Sequence, residues 1–263
     1  MIIDTHTHLG RNEHVRARVQ ELLSSMDEAK IDKSMVFAGG LNDLSNEAML
    51  EEIAPHRDRL IGVAAYDFNW KDELFKPQAV YLANLYQSGA IKAVKFYTGY
   101  YHYMPSSLSH VLWKLEQVGC PAIFHCGDCL NSVKCAKLKY AHPLNIDDVA
   151  VDYPGMNFII AHMGFPWHRD AAEVCYKNAN VYTDISGFVY GDFSREDEIK
   201  FCKVVNEFAE IAGTEKLLFG TDWPISNQKS YMDTCYSGPF VIPTPDDMTQ
   251  AAIKAFKLEG EIK

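Results

Sequence analysis

Two histidines, His6 and His8, sit one residue apart at the end of the opening stretch MIIDTHTH. Side chains on an extended strand alternate between its faces, so imidazoles at i and i+2 point the same way. Similar residues close other apolar runs: Lys95 in IKAVKFY, His125 in PAIFHCG, His162 in NFIIAHMG, Asp184 in NVYTDIS and Asp222 in KLLFGTD. Neutral imidazole with carboxylate is a donor set for Zn²⁺ or another divalent ion. Such an ion lowers the pKa of water, and a carboxylate beside it can take the proton.

Each of these residues also has a plainer reading. An isolated His-x-His pair serves as well at a surface or a cap. His125 and His162 fit core histidines bonded to a carbonyl, and Asp222 before Trp-Pro fits a turn or N-cap. Glycine close behind each of the two histidines lets the chain turn there, placing the ring at the strand's end. Lys95 reads three ways: facing an anionic substrate, carbamylated as a bridge between two ions, or snorkelling outward. Asp184 reads as a support that orients a histidine N–H or the turn.

HCGDCLNSVKC carries Cys126, Cys129 and Cys135, and Cys-x-x-Cys after a strand is also a redox signal. Alternation turns Cys126 away from His125, and no second such pair completes four zinc ligands. Tyr97, Tyr100, Tyr101 and Tyr103 can wall a pocket for a flat or cyclic molecule, or simply pack a loop. His102 is a further pocket candidate, whereas His14, His56, His110, His142 and His168 fall in helices or loops.

Strands are needed to carry these residues, and the sequence supplies eight: 2–6, 33–39, 60–66, 91–97, 121–127, 157–164, 180–186 and 216–222. Segments of helical period lie between them, with a less regular one near 143–152 and an aromatic loop near 98–106. A final helix is expected in TPDDMTQAAIKAFKLEG, with Thr244 as its N-cap. Eight β/α units point to a parallel (β/α)₈ barrel in one domain, residues 1–263, whose strand ends share one rim. An open doubly wound sheet is the alternative, but no GxGxxG or GxxxxGK[ST] follows a strand.

The composition, 48% hydrophobic and 23% charged in 263 residues, suits a globular core. A net charge of −10 argues against nucleic acid or an anionic membrane as partner and leaves a small molecule. Neither a basic signal-peptide start nor a membrane-length apolar run is evident. Seven unevenly spaced cysteines are read as reduced thiols, which points to the cytoplasm.

DTHTH, VKFY, FHCG, AHMG, NVYTDISG and LLFGTDWP, in this order, resemble the amidohydrolase superfamily. The likeness is strongest to the branch of aminocarboxymuconate semialdehyde decarboxylase and pyrone-dicarboxylate lactonase. That resemblance implies a distorted barrel with zinc or another divalent ion, one per chain, or two if Lys95 is carbamylated. By residue it implies His6, His8, His125 and Asp222 as metal ligands, with Asp222 also handling the water's proton. His162 would be an acid/base or electrophile, or a second-metal ligand in a binuclear site. The expected activity is hydrolysis of an amide, lactone or ester by a metal-activated water. Non-oxidative decarboxylation of a conjugated acid is the alternative. Lesser alternatives are a non-catalytic metal-binding barrel and a CxxC redox protein. By analogy with other barrels, a homodimer through the helices is also open.

Overall fold

Runs rich in β-branched and aromatic residues form eight strands in a computed structural model that describes residues 1–11, 16–39, 44–69 and 76–260. They are β1 (Ile3–His8), β2 (Lys33–Phe37), β3 (Leu60–Ala65), β4 (Ala93–Phe96), β5 (Ala122–Phe124), β6 (Phe158–Ile160), β7 (Val181–Asp184) and β8 (Leu217–Leu218). All are parallel and lie side by side in chain order. The circle closes beyond β8. Thr5 N–H donates to the Phe219 carbonyl at 2.8 Å, Asp222 N–H to that of His6 at 2.8 Å, and His8 N–H to that of Trp223 at 2.7 Å. A one-residue bulge in β1, between Asp4 and Thr7, adds to the distortion. The expected (β/α)₈ barrel is the fold.

The ladders end sooner than the apolar runs do. β5 stops at Phe124, β6 at Ile160 and β8 at Leu218, so His125, His162 and Asp222 stand on the turns that follow. Two of those turns are tight: His162 and Met163 adopt φ of 61° and 51°, and Asp222 a φ of 67°. Backbone in that region leaves a strand at once, which periodicity alone does not reveal.

The helices are α1 (Val19–Ala29), α2 (Asn46–Ile53), α3 (Lys76–Gln87), α4 (Ser109–Val118), α5 (Asn145–Asp152), α6 (His168–Lys177), α7 (Arg195–Ala212), α8 (Gln228–Ser237) and α9 (Pro245–Phe256). The irregular stretch near 143–152 is α5. The aromatic segment is no simple loop but a helical turn, Thr98–Tyr101, and a 3₁₀ turn, Pro105–Leu108. Helix α8 has no clear apolar stripe, because it buries Gln228 and Thr234 beside Tyr231, and its sequence therefore hides it. Thr244 caps α9 as expected: its hydroxyl accepts from the Asp247 N–H, and the Asp247 carboxylate accepts from the Thr244 N–H at 2.9 Å. His14 lies outside the described residues, and no described helix is long and apolar enough to cross a membrane.

Strand alternation sorts the core into two shells. Outward residues such as Val36, Val94, Phe96, Phe124 and Phe158 pack under the helices. Inward residues such as Ile3, Met35, Ile61, Val63, Ile123 and Ile159 fill the barrel. Helix α9 plugs its lower end with Ala251, Ala252, Ala255 and Phe256, while Asn157 donates to the carbonyls of Lys254 and Ala255 at 3.0 and 3.1 Å. Phe256→Ala is expected to cost about 3–5 kcal/mol of stability, read by denaturant melts. A loss under about 1 kcal/mol would show that the plug is not part of the core.

Candidate active site

Alternation along each strand decides what enters the upper barrel. On β4, Ala93 and Lys95 point in while Val94 and Phe96 point out; Ile123 packs inside and Phe124 outside on β5, and inward His125 follows. On β1, the intervening threonines bond the walls: Thr5 Oγ1 donates to the Phe219 carbonyl and Thr7 Oγ1 to that of Met35, both at 2.8 Å. His6 and His8 share the other parity, and the bulge between Asp4 and Thr7 turns them inward although Ile3 also faces the barrel interior. The Asp4 carboxylate accepts from the His6 and Thr221 N–H groups at 3.1 Å, from Thr221 Oγ1 at 2.7 Å and from Gln228 Nε2 at 2.8 Å. These bonds tie the segment that carries Asp222 to the strand that carries the histidines.

Asp184 is the hub of the site. Its Oδ2 accepts the Nδ1–H of His6 at 2.9 Å, and its Oδ1 accepts the backbone N–H groups of His162 and Ser186 at 3.0 and 3.1 Å. The Ser186 hydroxyl donates to the same Oδ1 and lies 2.8 Å from His162 Nδ1, from which it can only accept. Both rings are thus held with Nδ1 protonated and the Nε2 lone pair turned to the cavity, where that of His6 faces Lys95 Nζ at 3.3 Å. Burial, and next the charge of Lys95, holds His6 well below the usual imidazole range. Burial does the same to His162, reinforced by His6 and His125. Neutral rings are the form that binds metal.

Asp222 completes the group. Its Oδ1 lies 3.0 Å from His8 Nε2 and 3.6 Å from His6 Nε2. One ligand atom each from His6, His162 and Asp222 lie within 4.8 Å of one another. A four-coordinate ion with bonds of about 2.1 Å holds its donors roughly 3.4 Å apart, and the 3.6 Å between Asp222 Oδ1 and His6 Nε2 is close to that separation. Gly187 keeps the space open. With φ at 68°, a Cβ there would lie 2.6 Å from His162 Nδ1 and 3.2 Å from Asp222 Oδ2.

Of the other expected site residues, Lys95 does not snorkel out; it is fully buried, and its Nζ donates to His6 Nε2 at 3.3 Å. Burial pulls it down to about 8, against the opposing pull of Asp184 and Asp222. His125 lines the same cavity, but its Nε2–H donates to the Asp128 carbonyl at 3.0 Å, and it stands outside the convergent trio. Burial pushes His125 down to about 3.

These residues open onto a cavity of about 450 Å³ whose walls include Tyr97, Tyr100, Leu130, Phe188 and Tyr190. Tyr97 and Tyr100 are the buried pair of the four tyrosines, and Tyr103 is exposed. His102 is engaged elsewhere: its ring meets the Cys135 carbonyl and stacks on Tyr140. Cys126 packs in the outer shell, away from His125, and is a free thiol like Cys129 and Cys135.

Sequence reasoning missed Ser186, Gly187, Asp4 and the wall at Phe188 and Tyr190. A signal for two of them was present: Ser186 stands at i+2 from Asp184, on the same face, with glycine next. Asp4 precedes His6 by the same spacing.

The sequence matches the amidohydrolase family model over residues 3–255. Among curated proteins, protein fluG of Emericella nidulans is 28% identical over 109 residues, which is 41% of this chain and 12% of that protein. The match therefore spans only a small part of the relative's length. Three solved structures share the fold. An uncharacterized TIM-barrel protein from Bordetella bronchiseptica has a TM-score of 0.76 at 18% identity, covering 98% of this chain and 99% of that one. A probable 2-pyrone-4,6-dicarboxylic acid hydrolase from Acinetobacter baumannii, with citric acid bound, scores 0.61 at 20% identity, covering 99% and 94%. A dihydroxybenzoic acid decarboxylase from Polaromonas, with manganese and an inhibitor bound, scores 0.65 at 17% identity, covering 99% and 98%.

Proposed function

The chain belongs to the amidohydrolase family, and from that premise we propose that it is a metal-dependent hydrolase of an amide, lactone or ester bond in a small molecule. The observation that carries this reading is the convergence of His6, His162 and Asp222, with His8 beside Asp222, under an open cavity. His6, His8 and Asp222 would hold the ion, with His162 or His125 next to it. A divalent ion there supplies Lewis acidity and lowers the pKa of water.

The protein's own groups do the rest. Asp184 keeps the His6 proton on Nδ1, and Ser186 keeps that of His162 on Nδ1, so neither ring turns during a reaction. Asp222 Oδ2 faces the space beside Gly187 and is the atom placed to accept a proton and return it to a leaving group. His162, at the same edge, offers its Nε2 lone pair, which is placed to bind the ion or to accept a proton. The aromatic wall excludes water from the substrate's body and selects a flat one.

Decarboxylation is the second reading, favoured by the buried Lys95 ammonium on the cavity floor, which suits a carboxylate substrate. Elemental analysis should find a divalent ion, and chelation should abolish turnover in a screen of lactones, amides, esters and conjugated carboxylic acids. Turnover that survives complete removal of metal would overturn the proposal. Release of CO₂ in place of a ring-opened or cleaved acid would transfer it to the second reading.

A further inference from the structure

Resting on the metal-dependent reading above, we infer that the hydroxyl of Tyr97 is kept for the substrate, as a hydrogen-bond donor to a carbonyl or carboxylate oxygen of a flat molecule bound in the cavity. Tyr97 stands one residue beyond the end of β4 and shares the inward parity of Ala93 and Lys95. Its carbonyl accepts the N–H groups of Tyr100 and Tyr101 at 3.1 and 3.3 Å, so the backbone that aims the ring is tied down. Ala65 and Tyr100 pack against the side chain, and the His125 ring lies 6.4 Å from it, 25° from parallel. Tyr97 is 6% exposed and forms one wall of the cavity.

Four tyrosines are buried among the described residues, and three of them have partners. The Tyr66 hydroxyl lies 3.3 Å from His110 Nε2, that of Tyr100 accepts from the Leu130 N–H at 3.0 Å, and that of Tyr231 accepts from the Phe188 N–H at 2.8 Å. The Tyr97 hydroxyl has none. Ser34 Oγ and Gln228 Oε1 are also unpartnered, but neither residue lines the cavity. A buried hydroxyl without a partner costs stability, and such a group in a folded protein needs a reason. Packing is not that reason, because phenylalanine fills almost the same volume without the penalty.

Position supplies the reason. The unpaired hydroxyl belongs to a wall of the cavity that holds the convergent donors, and among charges that of Asp222 acts on it most strongly. A phenol keeps its proton at neutral pH and donates it. An acceptor oxygen carried in by a ligand removes the penalty, whereas a ligand lacking one leaves the hydroxyl unpaired and is selected against.

The experiment compares zinc-loaded wild type, Tyr97→Phe and Tyr100→Phe. Melting temperature, zinc content by elemental analysis and binding of benzohydroxamate by calorimetry are measured on each; this probe is flat and carries two oxygens. For Tyr97→Phe we expect unchanged zinc content, a melting temperature at least that of wild type and up to about 4 °C higher, and a probe dissociation constant raised about five- to ten-fold. Tyr100→Phe, which gives up a satisfied bond, should melt lower than wild type. A lowered melting temperature for Tyr97→Phe would show that its hydroxyl is already bonded within the protein. That result, or unchanged affinity for the probe, would overturn the inference and leave the metal reading standing. Wild-type protein that binds neither zinc nor, once loaded, the probe would overturn both.

Discussion

Asp222→Asn is expected to lower turnover by about 10³-fold, within the range for loss of a general acid/base, while the protein keeps its fold. The amide keeps the size of the side chain and an oxygen toward His8, now 3.0 Å away. It cannot accept and return a proton, so the chemical step fails even where substrate still binds. The backbone supports little else in its place: the Asp222 N–H is already given to the His6 carbonyl, and φ is 67°, a conformation that asparagine tolerates. His8→Ala should differ, losing metal and turnover together because a nitrogen donor is gone. Turnover and zinc content, measured side by side, separate the two. Near-normal turnover in Asp222→Asn would remove the proton-handling role.

The second large effect concerns a residue with no side chain. Gly187→Ala places a methyl 2.6 Å from His162 Nδ1, where Ser186 already lies at 2.8 Å. His162 must then turn, breaking the Ser186 contact that holds its proton on Nδ1. Metal affinity is expected to fall by about 10–100-fold, the usual cost of losing a partner that orients a ligand. Turnover should fall with it. Part of any stability loss comes from backbone, because alanine at φ 68° costs about 1–2 kcal/mol. Gly191→Ala isolates that part: its φ is 73° and no atom lies within 4 Å of its Cβ position. Chelator competition on both variants should show weakened zinc binding for Gly187→Ala and not for Gly191→Ala. Equal behaviour of the two would mean that the glycine serves the turn and not the site.

Much of the site is legible because strands have a period of two. His6 with His8, and Lys95 on β4, follow from parity once the strands are recognised, and the order of eight β/α units brings their ends to one rim. The outward placement of Cys126 follows from the same rule. Parity failed where the chain left the ladder. His162 and Asp222 owe their positions to left-handed backbone beyond β6 and β8, and no apolar pattern encodes a single φ. Helix α8 was hidden because its buried polar residue, Gln228, finds its partner in Asp4, more than two hundred positions away.

By itself the sequence determined the barrel, the rim and the kinds of side chain that gather there, since these depend on local periodicity and residue chemistry. Tertiary structure alone decided which nitrogen of each histidine faces the cavity, that His125 gives its Nε2–H to a carbonyl, and that Lys95 ends beside His6 between two aromatic faces. Those outcomes turn on contacts of a few ångströms between residues far apart in the chain. Such contacts exist only after the barrel has closed and every strand has taken its register.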